Sequence, residues 1–119
     1  MIRTLWFLAG LVIVAAIIYL SIFMPQVEQA ADSQIDKVKH FIAYGTLMLW
    51  FSQLYQDKAR LHLIWIFIGL GVAIEFIQPL TGREFSILDM LANTAGILIA
   101  LFIASKGGDF LYPKLQKPE

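Results

Sequence analysis

Three short stretches hold the residues best suited to acid–base and phosphate chemistry: DKVKHFIAY (36–44), EFIQPLTGRE (75–84) and SILDMLANTAG (86–96). In the first, Asp36, His40 and Tyr44 fall four apart, which places them on one face of a helix, with Lys37 on a neighbouring face. In the second, Glu75 and Gln78 are three apart and share a face, and Arg83 follows in the loop. In the third, Asp89, Asn93 and Gly96 follow an i, i+4, i+7 pattern. His40 has the chemistry of a general base or nucleophile, and Glu75, Asp89 or Asp36 could orient it or act as acid. These four are the candidate catalytic residues. Lys37, Tyr44, Gln78, Arg83 and Asn93 are the candidate substrate-binding residues. Arg83 would grip a phosphate through its fork and Lys37 as a point charge, while Gln78 and Asn93 would fix a polar head group. Helix N-termini near Asp36 and Asp89 would add backbone donors for an anion. No residue is assigned as a dedicated metal ligand. The three carboxylates and the histidine could instead hold one divalent cation, with magnesium, calcium or manganese favoured by the oxygen-rich set.

The segments that carry these groups are apolar. Of 119 residues, 59% are hydrophobic and 15% charged, against about 45–50% and about 25% in soluble domains. The excess lies in long runs, the mark of a membrane protein. Zero net charge and the lack of a basic tract leave no case for nucleic acid as a partner. With no cysteine there is no disulfide and no thiolate chemistry. Four spans are expected, at about 5–24, 38–55, 61–80 and 87–105, in a single domain covering 1–119. The first begins after Arg3 like a secretory signal, but it is too long and lacks a small-x-small cleavage site, so it reads as a retained anchor. Pro25 breaks the first span and Pro79 the third, and Gly107 and Gly108 end the fourth.

Lys and Arg counts set the orientation. Arg3, Lys58, Arg60, Lys106, Lys114 and Lys117 lie on one side; Lys37, Lys39 and Arg83 lie on the other. Six against three places both termini in the cytoplasm and the three polar stretches at the outer surface. The expected fold is an all-α integral membrane bundle of four transmembrane helices, multi-pass in the bacterial inner (cytoplasmic) membrane.

Each polar residue also has a structural explanation. Ser86-x-x-Asp89 and Ser33-x-x-Asp36 are capping-box patterns, and an acid at either place favours the helix dipole. Lys37 and Lys39 can snorkel, and Lys39 is read as an anchor only. Tyr44 can be a belt aromatic, His40 a hydrogen-bonded core histidine and Arg83 a loop charge beside Glu84. Glu75 resists this treatment. It lies among Ile74, Phe76 and Ile77 at the C-terminal end of a helix, where a carboxylate opposes the dipole and no capping role fits. It therefore needs Arg83, Lys37 or His40 as partner, or a proton. Ala92, Gly96, Ala100 and Ala104 form a small-residue stripe for close helix packing, and Gly69 and Gly71 suggest a close approach on the third span. Trp6, Trp50, Tyr55 and Trp65 read as interfacial aromatics of the inner side.

The combination D-K-x-x-H-F-x-x-Y, then E-x-x-Q, then R-x-x-S-x-x-D-x-x-x-N-x-x-G resembles the VanZ-like family, small membrane proteins named for a teicoplanin-resistance determinant. Asp36, Lys37, His40, Phe41, Tyr44, Glu75, Gln78, Arg83, Ser86, Asp89, Asn93 and Gly96 supply every position of it, over roughly residues 35 to 104. The resemblance implies action at the cell envelope, with reduced teicoplanin susceptibility as the association of the founding member. It also implies kinship with membrane enzymes that act on lipid head groups, phosphatidylserine synthases among them. The expected partners are membrane lipids and an envelope lipid-linked or glycopeptide ligand. The expected activity is that of a lipid head-group phosphoesterase or transferase; the alternative is a non-catalytic protein whose polar cluster binds lipid or glycopeptide, or locks helix packing.

Overall fold

The computed structural model describes residues 1–23, 34–56, 58–81, 86–108 and 111. Among them are four α-helices: α1 (Ile2–Phe23), α2 (Gln34–Ser52), α3 (Lys58–Ile77) and α4 (Ile87–Ile103). A single 3-10 turn, Gln78–Thr81, continues α3, and a π-type turn, Ala104–Gly108, continues α4. No strand occurs among the described residues.

Pro79 falls inside the 3-10 turn, so α3 keeps its regular α-helical bonding only to Ile77. Gly107 takes a φ of 108°, a left-handed conformation that glycine adopts without strain, and the chain leaves α4 there as expected. Helix α2 ends at Ser52 rather than near Tyr55. The last carbonyl of α2 and one three residues beyond it are met by a side chain from the next helix. The Nε–H of Arg60 donates to the Tyr55 carbonyl at 2.8 Å, and its Nη2 donates to that of Ser52 at 2.9 Å.

Helices α1, α3 with its 3-10 turn, and α4 with its π-type turn are long and apolar enough to cross a membrane. Helix α2 falls short of that measure, because its first two turns hold Gln34, Asp36, Lys37, Lys39 and His40. Large apolar side chains face outward on every helix, among them Val12, Ile42, Ile66, Phe76 and Phe102. Helices apolar all round belong in lipid or deep in a core, and so much outward apolar surface suits lipid.

Helix α2 packs most extensively on α4. The contact is backbone against backbone: a Cβ added at Gly96 would lie 3.1 Å from the Gly45 nitrogen and would overlap the Phe41 carbonyl oxygen. The small-residue stripe continues down α4 with Ala100 and Ala104, both buried. On α3, Gly71 makes the predicted close approach, since a Cβ there would sit 2.8 Å from Asn93 Nδ2. Gly69 does not: a Cβ there meets nothing within 4 Å, because the residue faces outward. Tyr44, Leu47, Met48 and Phe51 from α2 join Phe67 from α3 and Ile97 from α4 in one core.

Helix α1 lies at the edge of the bundle, with Gly10 its one buried residue. There it crosses α2, where a Cβ would overlap the Phe51 ring. Trp6 and Trp50, expected as separate interfacial aromatics, instead stack on each other at 3.9 Å and 10°. The indole N–H of Trp6 donates to the Trp50 carbonyl at 2.8 Å, and that of Trp50 donates to the Trp6 carbonyl at 2.9 Å.

Candidate functional site

The close α2–α4 crossing at Gly45 and Gly96 fixes what lies one to two turns away. On α2 that is His40; on α4 it is Asn93 and Asp89. His40 Nδ1 meets Asn93 Oδ1 at 2.9 Å, and Nε2 faces Asp89 Oδ2 at 3.3 Å. Glu75 arrives from the last turn of α3. One acceptor or donor atom from each of His40, Glu75 and Asp89 lies within 4.8 Å of the others. Glu75 is fully buried, Asp89 and Asn93 are 2% exposed, and His40 is 9% exposed. Three helices thus bring two carboxylates, an imidazole and an amide close together at one end of the bundle.

The start of α4 explains how both acids are held. Ser86 is the N-cap, and its Oγ accepts the Asp89 backbone N–H at 3.2 Å. In a full capping box, Asp89 would return the favour to the Ser86 N–H. Here that N–H donates to Glu75 Oε1 at 2.5 Å instead. Glu75 therefore caps a helix after all, not its own but α4, where a negative charge favours the positive end of the dipole. This corrects the expectation that no cap could use it. The substitution also leaves the Asp89 carboxylate to face His40 instead of its own helix end.

Tyr44 lies one turn below His40, its ring nearly parallel at 6.5 Å and 14°, and is 1% exposed. That burial rules out the belt role and places Tyr44 in the core, where it also lines the cleft beside His40. Gln78 is also at this end, but its Nε2 donates to the Ser21 carbonyl at 3.0 Å. That carbonyl is in the last turn of α1 and has no partner within its own helix, so Gln78 ties α1 to the bundle beside the site. Lys37 is half-buried on α2, one turn before His40. Arg83 lies outside the described residues, and so does the side chain of Asp36, whose backbone belongs to α2.

A cleft of about 240 Å³ opens beside His40, between α1 and α2. Ile17, Leu20 and Ala43 form its apolar walls, and Lys39, His40 and Gln78 its polar end. Lys39, read from sequence as a mere anchor, stands at this cleft. Its i−1 position beside His40 could have hinted at that, but only the packing of α1 creates the cleft.

A bundle of this kind defines a class: a small helical membrane protein with a buried, mixed-charge site at one end of its helices and a lateral cleft leading to it. The VanZ/LLP1 family model matches residues 4–111, and the chain belongs to that family. The match takes in α1, which the motif residues alone do not reach. No curated protein and no solved structure matches the chain.

Proposed function

We propose that this protein binds and processes phosphate-containing lipid head groups of the cell envelope. In this proposal it crosses the bacterial inner membrane four times with both termini in the cytoplasm, so that the His40 end opens at the outer leaflet. One observation carries the proposal. The His40 ring stands with Lys39 and Gln78 at the polar end of a cleft walled by Ile17, Leu20 and Ala43, while both its nitrogens face groups on α4. A lipid offers the matching shape, with acyl chain along Ile17, Leu20 and Ala43 and phosphate toward Lys39 and His40. Asp89 would hold the imidazole for proton transfer, as an orienting carboxylate does in hydrolytic sites. Lys37 and Arg83 would add positive charge for the phosphate. A link to glycopeptide resistance belongs to the same proposal, since altered head groups would change the surface that teicoplanin meets.

The test is incubation of purified protein in liposomes with phospholipid labelled in the head group. Wild type releases or exchanges label, and folded His40→Ala loses at least tenfold of that rate. No turnover and no saturable lipid binding by folded wild type would refute the proposal.

A second reading, a polar lock for helix packing, is favoured by two contacts. Glu75 caps α4 and Gln78 tethers α1, and each joins two helices. Glu75→Gln separates the readings, because an amide oxygen still accepts the Ser86 N–H while the charge is gone. A lock survives that change; a charged site does not.

A further inference from the structure

We infer that the groove between α1 and α3, at the end of the bundle opposite His40, seats one anionic phospholipid of the surrounding leaflet. Its acyl chain would lie along the groove and its phosphate at the basic mouth. This goes beyond the head-group proposal and uses none of its residues. Only the name of the leaflet, cytoplasmic, rests on the orientation given there. The groove has a volume of about 460 Å³, within the range of ligand sites, about 300–1,000 Å³. It exists because α1 leans on α2. The Trp6–Trp50 stack and the crossing of Gly10 over Phe51 hold α1 to that side, and its other flank meets α3 only sparsely.

Two helix faces form the walls, and both have the same order. On α1, Arg3, Phe7, Leu11 and Val14 are spaced four, four and three apart, which is one face of a helix. On α3, Lys58, His62, Ile66 and Leu70 are four apart throughout. Phe7, Leu11, Val14, Ile66 and Leu70 line the groove and are apolar. The polar groups gather at one end. Tyr55 and His62 line the groove there, Arg3 stands over the Tyr55 ring at 5.2 Å, and Lys58 is exposed one turn before His62. From Ala59 to Leu70 the groove runs about 16 Å along α3, at 1.5 Å rise per residue. One leaflet's share of a hydrocarbon core of about 30 Å is about 15 Å.

The mouth is built rather than loose. The Nε–H of Arg60 donates to the Tyr55 carbonyl at 2.8 Å, which holds the residue whose ring face receives the Arg3 cation. Arg3 can grip a phosphate through its fork and Lys58 can add a point charge. His62 offers a ring N–H in either tautomer. Among the described residues no carboxylate stands at this end, since Glu75 and Asp89 belong to the other; Asp57, beside Lys58 in sequence, lies outside them. Charge therefore selects the occupant. A neutral lipid fits the walls but makes no use of the basic mouth. A second copy packed here about a two-fold axis along the membrane normal would bring Arg3 and Lys58 against their own duplicates, since a symmetric interface meets itself. An anionic phospholipid answers walls and mouth together, and the cytoplasmic leaflet carries such lipids.

The experiment is native mass spectrometry of the purified protein, released from detergent after titration with phosphatidylglycerol or with phosphatidylcholine of identical chains. Every variant is checked for helix content and a monodisperse elution. Wild type is expected to retain phosphatidylglycerol at least tenfold more tightly than phosphatidylcholine, and His40→Ala keeps that preference. Arg3→Gln and Lys58→Gln, both at exposed positions, each weaken retention about fivefold, the effect of one cation on anionic lipid. Both leave head-group turnover at the wild-type level. Leu11→Trp, on the exposed wall of the groove, fills it and abolishes retention there. Equal retention of the two lipids by wild type overturns the inference, as does retention that no groove variant alters. So does a dimer that Leu11→Trp dissociates while no lipid is held, which gives the groove to a second copy. Retention lost in His40→Ala and kept in the groove variants sinks the groove and leaves the head-group proposal standing. Retention lost in the groove variants of a protein that turns over no head group does the reverse.

Discussion

The two ends of the bundle differ in one kind of polar contact, a buried side chain that faces other side chains. At the Trp6 end, nearly every contact runs from a side chain to backbone. Arg60 serves the carbonyls of Ser52 and Tyr55, and each Trp indole serves the other's carbonyl. Gln53 donates to the carbonyls of Leu49 and Gly108 and accepts the Leu111 N–H. These are the loose backbone groups that every helix end exposes, and a side chain that meets them completes the fold. At the His40 end, Glu75, Ser86 and Gln78 likewise meet backbone groups of helix ends, but His40 faces side chains, Asn93 and Asp89. No helix end requires those pairs. The proposed function assigns chemistry to these groups because polar side chains at membrane depth that no helix end requires are expensive to keep.

The largest effect should come from removing what joins the two ends. Gly96→Leu drives a side chain into the Phe41 carbonyl, which belongs to rigid backbone and cannot move aside. Overpacking a tight contact costs about 1–3 kcal/mol for small additions, and a leucine here is a large one. No monodisperse folded protein is expected by size exclusion in detergent, and both ends should fail together. Folded Gly96→Leu would show that the α2–α4 crossing does not set the site.

Next is the direct comparison of the ends. Arg60→Met strips the Ser52 and Tyr55 carbonyls of their donor and leaves them buried, at a cost of about 1–3 kcal/mol. Thermal unfolding should shift down while lipid turnover per folded molecule stays at the wild-type level. Glu75→Gln should do the opposite, with unfolding close to wild type because the Ser86 cap is kept, and turnover down at least tenfold. If the two variants trade these outcomes, the His40 end is the structural one.

The sequence revealed those features that depend on a single helix. The shared faces of His40 and Tyr44, and of Asp89, Asn93 and Gly96, follow from helical period alone. The common level of the three stretches follows from where the spans stop. What it concealed depends on contacts between segments. Glu75 was expected to need a charged partner, and nothing in the sequence signalled that it also accepts a backbone N–H eleven residues on, a contact that exists only once α3 and α4 turn against each other. Gln78 was read as a head-group ligand, and its bond to the Ser21 carbonyl could not be foreseen because only the packing of α1 creates it. Trp6 and Trp50 suited an interface by type, and nothing in their spacing of 44 residues marked them as a stacked pair. Helix α2 is the intermediate case: its polar first turns were plain to see, and they are why it falls short of the measure that the other three helices meet.

The smallest effect is expected at the Trp pair itself. Trp6→Phe keeps a ring against Trp50 but removes the indole N–H, so the Trp50 carbonyl loses one donor and the reciprocal bond to the Trp6 carbonyl stays. One net hydrogen bond is worth about 0.5–1.5 kcal/mol, and polar contacts between membrane helices average about 0.6 kcal/mol. A slight downward shift in thermal unfolding is expected, with lipid turnover unchanged, since Gly10 and Gln78 still hold α1 at two other points. A loss of turnover here would mean that the position of α1 along its whole length controls the cleft beside His40. The two ends would then be coupled through α1, and the division of labour between them would fail.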